Sequence, residues 1–263
     1  MTIAVQEPRP ARASSLFARV LVGVAATPGS QAAARQAAML LEPGGTLELL
    51  AAFDAEEHRQ TPRPLFLDVE PERERARERV ARAARALPSG LAAATTAIVP
   101  GDLVDAIVDE LELGRETVVA IASDTGATVA ELLHRRPCAL LVARPHAATP
   151  PATIVVGVDG SPESQAAYRA GRELAVRFGA SLSTLVAAGG SGYDAEAVRG
   201  IVAGRPATSS LSPGHALTAA SSASDLVIVG NRGLHGASGV GSVAMRTARE
   251  AACSVLVVPG VTV

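Results

Sequence analysis

The sequence predicts an α/β fold made of two tandem, doubly wound, parallel five-stranded sheets, and three observations carry that expectation. Short apolar, strand-like runs alternate with helical patterns along the chain, as parallel strands joined by crossover helices require. The chain also repeats itself. RVLVGVAATPGSQAA at 19–33 lies on TIVVGVDGSPESQAA at 153–167 at an offset of 134, and CALLVARP at 138–145 lies on CSVLVVPG at 253–260 at an offset of 115. The third observation is a glycine-rich stretch at 230–241, set between an apolar run and a helical pattern, which reads as strand, loop and helix.

Taken in order, residues 1–17 read as a flexible tail, because they hold no apolar core of signal-peptide length. A first copy at 18–145 opens with a strand that turns at Thr27-Pro28-Gly29 into the helix SQAAARQAAMLL. Strands are then expected at 46–53, 93–99, 116–122 and 138–143, separated by helices at 72–87, 102–113 and 128–135. A Pro-bearing loop fills 54–71. The linker is placed at 146–152, within the Pro- and Ala-rich run ARPHAATPPA, and the second copy at 153–263. That copy has the same ends but a short middle. Only 38 residues separate its strand at 181–187 from that at 226–229, enough for a reduced helix at 193–202, a poor strand at 208–212 and a helix at 215–223.

Composition narrows the chemistry. All 24 basic residues are arginine, so no Walker-type lysine and no Schiff-base lysine exist. Against 26 acids the formal charge is −2, which argues against nucleic acid or an anionic membrane as main partner. No apolar run approaches the roughly 20 residues of a spanning helix. Two cysteines, Cys138 and Cys253, lie far apart, and the histidines have no ligand spacing, so neither a disulfide framework nor a metal site is indicated and a cytoplasmic setting fits.

In open parallel sheets ligands bind beyond the carboxyl ends of the strands. Asp159 follows the first strand of the second copy, and the loop 230–241 leaves the fourth strand, which in such folds lies beside the first. Glycines at 230, 233, 236, 239 and 241 let backbone amides approach one anion, and a helix opening at Ser242 adds its positive end. Two readings stand side by side. In one, the loop cradles phosphate and Asp159 accepts from a ribose or adenine; in the other, the loop is a plain turn and Asp159 a helix-start residue before Pro162.

IVVGVDGSPESQAAYRAGRELA together with VIVGNRGLHGA…GSVAMRTAREAACSVLVVP resembles the universal stress protein family in tandem form, over nearly the whole chain. The resemblance implies an adenine nucleotide alpha hydrolase-like fold with the last strands of the two copies paired as an intrachain pseudo-dimer, simple burial of those strands beneath a helix being the plainer reading, and it leaves association of such chains into a homodimer open. It also implies a site for ATP or another adenine nucleotide, with Mg as the accompanying ion, built from Asp159, Val186, Gly230, Gly233, Gly241, Ser242 and Val243. The family's motif has nine residues before its final Gly-Ser; here seven, 234–240, separate Gly233 from Gly241. The first copy has Ala25 where the second has Asp159, and Asp124 where the glycine loop would begin, so no nucleotide is expected there.

No nucleophile triad is evident, and the function implied is a regulatory stress response with at most slow ATP hydrolysis. The alternative is a nucleotide-free protein-interaction module. His235, Arg232, Arg246 and Arg249 are secondary candidates near the phosphates, with solvent or surface pairing to Glu250 as the plainer reading.

Overall fold

The structure is a computed structural model, and it describes residues 16–53, 70–89, 91, 94–112, 118–135, 138–145, 147, 149–189, 193–231 and 242–260. In the first half, strands β1 (Arg19–Gly23), β2 (Thr46–Phe53), β3 (Ala94–Pro100), β4 (Val118–Ala122) and β5 (Ala139–Ala143) alternate with helices α1 (Ser30–Leu40), α2 (Glu70–Arg85), α3 (Leu103–Glu112) and α4 (Gly126–Arg135). The second half has β6 (Thr153–Gly157), α5 (Pro162–Phe178), β7 (Ser181–Ala187), α6 (Ala195–Ile201), β8 (Ala207–Ser209), α7 (Pro213–Ala220), β9 (Leu226–Asn231), α8 (Ser242–Glu250) and β10 (Ser254–Pro259).

Among the described residues, ten strands form one sheet in the order β3-β2-β1-β4-β5-β10-β9-β6-β7-β8. Pairing is parallel within each half. At the centre β5 and β10 run antiparallel, with Leu141 opposite Leu256 and Val142 opposite Val255. Both strands are nearly continuous apolar runs because both their faces are covered. One core layer packs α1, α2 and α5 on one face of the sheet, and a second packs α3, α4, α7 and α8 on the other. Alanines supply much of the helix contribution, which lets helix backbones lie close to the strands.

Element ends differ from expectation by a few residues, each with a local cause. Helix α2 begins at Glu70 rather than 72, since Pro71 is tolerated in a first turn and Glu70 and Glu72 suit the positive helix end. Strand β4 is described from Val118, the expected start at 116 lying outside the described residues, while β8 spans three residues and α7 starts at Pro213 and passes into a short 3-10 turn at Ser221–Ala223. The helix expected at 193–202 is Ala195–Ile201, opened by Asp194, whose Oδ1 accepts from the amides of Glu196 and Ala197.

A buried polar network crosses the central seam. Gln36 of α1 donates to the Arg144 carbonyl at 2.6 Å and accepts from the Ser254 hydroxyl at 2.6 Å, while the Arg144 amide donates to Ser254 Oγ at 2.9 Å. Arg144 also donates to the carbonyls of Ala248 and Arg249, closing the C-terminal end of α8. Arg177 of α5 reaches the Leu40 carbonyl of α1 at 2.6 Å and lies 4.9 Å from the centre of the Phe17 ring.

At the amino end of β6, Asp225 Oδ2 accepts from the amides of Ala152 and Thr153 and from the Thr153 hydroxyl. Burial pushes the Asp225 carboxyl up, but these hydrogen bonds outweigh it and leave its pKa below the ordinary value. A folded pKa below the unfolded one contributes stability above the unfolded value, and that stability is lost as pH falls through the folded pKa. Asp225→Ala should therefore cost about 1 kcal/mol near neutral pH, modest because the group is largely exposed. The gap between wild type and variant should narrow below pH ~4 in urea unfolding at a series of pH values. A pH-independent gap would contradict the assignment.

Candidate nucleotide site

Strand register brings the expected residues to one edge of the sheet. β6 pairs with β7 so that Gly157 faces Leu185, and with β9 so that Val156 faces Ile228. Continuing those offsets sets Val186, Val158 and Gly230 at one level across three neighbouring strands, with Asp159 one residue beyond. Val186 is buried and pairs with Thr208 of β8. The Val158 amide donates to the Leu185 carbonyl at 3.0 Å, and the first half repeats this bond from Val24 to Leu50 at 2.8 Å.

Asp159 is held by the start of α5. Its Oδ1 accepts from the Ser161 amide at 3.0 Å and from the Ser161 hydroxyl at 2.6 Å. Ser161 in turn caps the helix by accepting from the Ser164 amide at 3.2 Å, and Pro162 occupies the first turn. The helix-start role weighed for Asp159 is thus present in the structure. The Ser161 pair fixes the orientation of the carboxylate. Between them Gly160 has φ +92°, and a Cβ there would lie 3.0 Å from both the Asp194 carbonyl and the Ala197 side chain.

Gly230 meets a physical requirement that the sequence did not reveal. A Cβ at this position would stand 2.6 Å from the Glu163 carbonyl carbon, so the end of β9 lies directly against the first turn of α5. Helix α8 opens at Ser242, and Val243 is half-buried with its carbonyl accepting from the buried Thr247 hydroxyl at 2.8 Å. Gly233 and Gly241 lie outside the described residues, as do Arg232 and His235.

Arg246 turns toward α7: it contacts the His215 ring, packs over Gly214 and lies 3.9 Å from Glu250. The plainer reading of Arg246, surface pairing with Glu250, matches that placement. Among the described residues no group of His, Cys, Asp and Glu is arranged to hold a metal ion, and no helix is long and apolar enough to cross a membrane.

In the first half the same edge is closed differently. Asp124, just past β4, accepts from the Thr27 hydroxyl at 2.9 Å and from the Gly29 amide at 3.2 Å. A fixed carboxylate therefore sits at the N-terminus of α1, the counterpart of α5, just past the strand where the resembled site would begin its phosphate loop. The sequence indicated a repelling charge there; it did not indicate that the charge serves as an internal cap bridging β4 to α1.

Residues 194–259 match the profile of the universal stress protein family. Among solved structures, a universal stress protein from Archaeoglobus fulgidus DSM 4304 superimposes with a TM-score of 0.70 at 14% identity, covering 94% of this chain and 98% of that one. A functionally unknown protein from Pseudomonas aeruginosa PAO1 gives a TM-score of 0.61 at 16% identity, covering 93% of each chain. A universal stress protein in complex with cAMP matches at 30% identity over 42% of this chain and 98% of its own, with a TM-score of 0.33. Comparison with curated proteins gives no match. The universal stress protein profile thus matches the α6–β10 segment, on a fold shared along the whole length of the Archaeoglobus protein.

Proposed function

We propose that the chain is a tandem universal stress protein that binds an adenine nucleotide, of the ATP or AMP class, in its second half and acts as a regulator rather than a strong catalyst. The two halves of the sheet are read as domains at 18–145 and 153–263 paired through their last strands, working in the cytoplasm. The single observation behind the nucleotide reading is convergence. The end of β7 at Val186 and the end of β9 at Gly230 come to the level of Val158, with Asp159 one residue beyond, at the edge where open parallel sheets take ligands. Asp159, oriented by Ser161, suits ribose hydroxyls or the adenine amino group, and the backbone beside Val186 suits the adenine edge. The opening turn of α8, with Ser242 and Val243, suits phosphate because its first amides have no partner within the helix. Gly233 and Gly241 complete the site in this proposal, with Mg on the phosphates. The first half takes no nucleotide, since Asp124 fixes a negative charge just past β4, where donors to phosphate are wanted.

The test is thermal unfolding of the full chain with added ATP. Ligand at ~100 times its dissociation constant should add about 2.7 kcal/mol to the folded state. Asp159→Asn should keep the Ser161 contact yet weaken binding, Asp159→Ala should weaken it further, and Asp124→Ala should leave the ATP shift unchanged. Absence of any shift at millimolar ATP, AMP or cyclic AMP would reject the reading in favour of a nucleotide-free interaction module.

A further inference from the structure

A cavity of about 280 Å³ opens at the seam between the two halves, at the amino ends of β9 and β10 and so at the opposite end of those strands from Gly230. Its walls come from Met39 of α1, Arg144 just past β5, Pro151 of the connector, Asp225 at the start of β9, and Ala252 and Cys253 before β10. It shares no residue with the strand edge around Asp159 or with the turn at 24–28 of the first half. Ligand sites form preferentially where domains meet, and this volume stands near the lower bound of their usual range, so the cavity suits a small molecule.

Strand register brings three polar residues into one row. Continuing the pairing of β10 with β5 and with β9 sets Arg144, Cys253 and Asp225 side by side across three strands, with roughly 10 Å between the backbones of Arg144 and Asp225 because neighbouring strands lie about 4.8 Å apart. Arg144 donates through Nη2 to the carbonyls of Ala248 and Arg249, and its Nε is enclosed by the protein. Nη1 is the remaining nitrogen, and among the described residues it has no hydrogen-bond partner and is not enclosed. No carboxylate among them compensates this guanidinium: burial pushes its pKa down, and only the Cys253 thiol acts the other way. Burial also holds that thiol above its ordinary pKa, so it is neutral near neutral pH and supplies no counter-ion. A half-buried cation without a counter-ion is costly unless an anion settles beside it.

We infer that the seam cavity binds a small monocarboxylate with an apolar body, whose carboxylate accepts from Arg144 Nη1 and whose hydrocarbon part lies along Met39, Pro151 and Ala252. A carboxylate matches a guanidinium group in geometry as well as charge. One negative charge suits the cavity and a second does not, because the Asp225 carboxylate stands at the far end of the row and repels it. The inference stands apart from the nucleotide reading, since the two sites lie at opposite ends of β9.

Isocaproate is the probe, with titration calorimetry on the full chain. Binding is expected at millimolar concentration, and isocaproamide, which has the same shape without the charge, should bind about tenfold more weakly, the loss of one charge-assisted hydrogen bond. Saturating isocaproate should also slow the alkylation of Cys253 by iodoacetamide several-fold, read by peptide mass spectrometry; Cys253 is partly exposed and lines the cavity, whereas Cys138 is buried and does not. Arg144→Gln should lower the affinity about tenfold. That variant also loses the Ala248 and Arg249 contacts, so Met39→Trp, which keeps Arg144 and fills the cavity, carries the decision and should abolish binding. The ATP-dependent thermal shift should persist in Met39→Trp, which separates failure of this site from failure of the nucleotide site. No isocaproate binding at millimolar concentration, unchanged alkylation of Cys253 in its presence, or equal affinity in wild type and Met39→Trp would overturn the inference. Leucine binding more tightly than isocaproate would overturn the monocarboxylate assignment, with Asp225 taking its ammonium group.

Discussion

Gly230→Val is expected to destabilise the protein by about 1–3 kcal/mol or more and to abolish nucleotide binding with it. The new Cβ would fall 2.6 Å from the Glu163 carbonyl carbon, 2.8 Å from its carbonyl oxygen and 2.8 Å from its Cβ. Two of these atoms are backbone, so relief requires moving the first turn of α5 rather than rotating a side chain. That turn carries Ser161 and Pro162 and, through Ser161, orients Asp159. Stability and ligand affinity should therefore fall together, read as a lower thermal midpoint and a lost ATP shift. Gly230→Ala places the same Cβ and should show the same direction. An unchanged midpoint in both variants would mean that β9 and α5 are not in contact there.

Leu141→Ala is expected to cost about 2–5 kcal/mol, the loss of a large buried side chain plus the cavity left behind. Leu141 is 1% exposed and faces Leu256, 0% exposed, across the antiparallel pair β5–β10. The seam holds both core layers together, since the apolar side chains of β5 and β10 are shared between them. Urea unfolding should show the midpoint falling with little change in slope. A loss below about 0.5 kcal/mol would mean that this strand pair contributes no packing in solution.

Much of this architecture was legible in the chain. The repeated Val-Gly-Val followed by Pro and Ser-Gln-Ala-Ala marks a strand turning into a helix, because strand alternation, a Pro in the first helical turn and an alanine-rich face are all local signals. The same locality made Asp159 visible as a strand-end residue and the glycine stretch visible as a loop. Helix α2 was harder to bound, since Pro71 reads as a breaker in sequence but is harmless in a first turn. Arg79 and Arg82 stand in a run of both charge signs at 72–85, which by sequence alone suits a solvated helix face. Only the packing of α2 against β2 buries Arg79 Nε and sets its Nη2 on the Ala52 carbonyl.

Sequence alone determined the two βα repeats and the positions of their strand ends, because hydrophobic period and turn chemistry act over a few residues. Tertiary structure decided the rest. It set Leu141 against Leu256, Gly230 against Glu163 and the Asp124 carboxylate on the Gly29 amide. The physical reason is that contacts between residues far apart in the chain depend on strand order and helix placement, which no local pattern encodes.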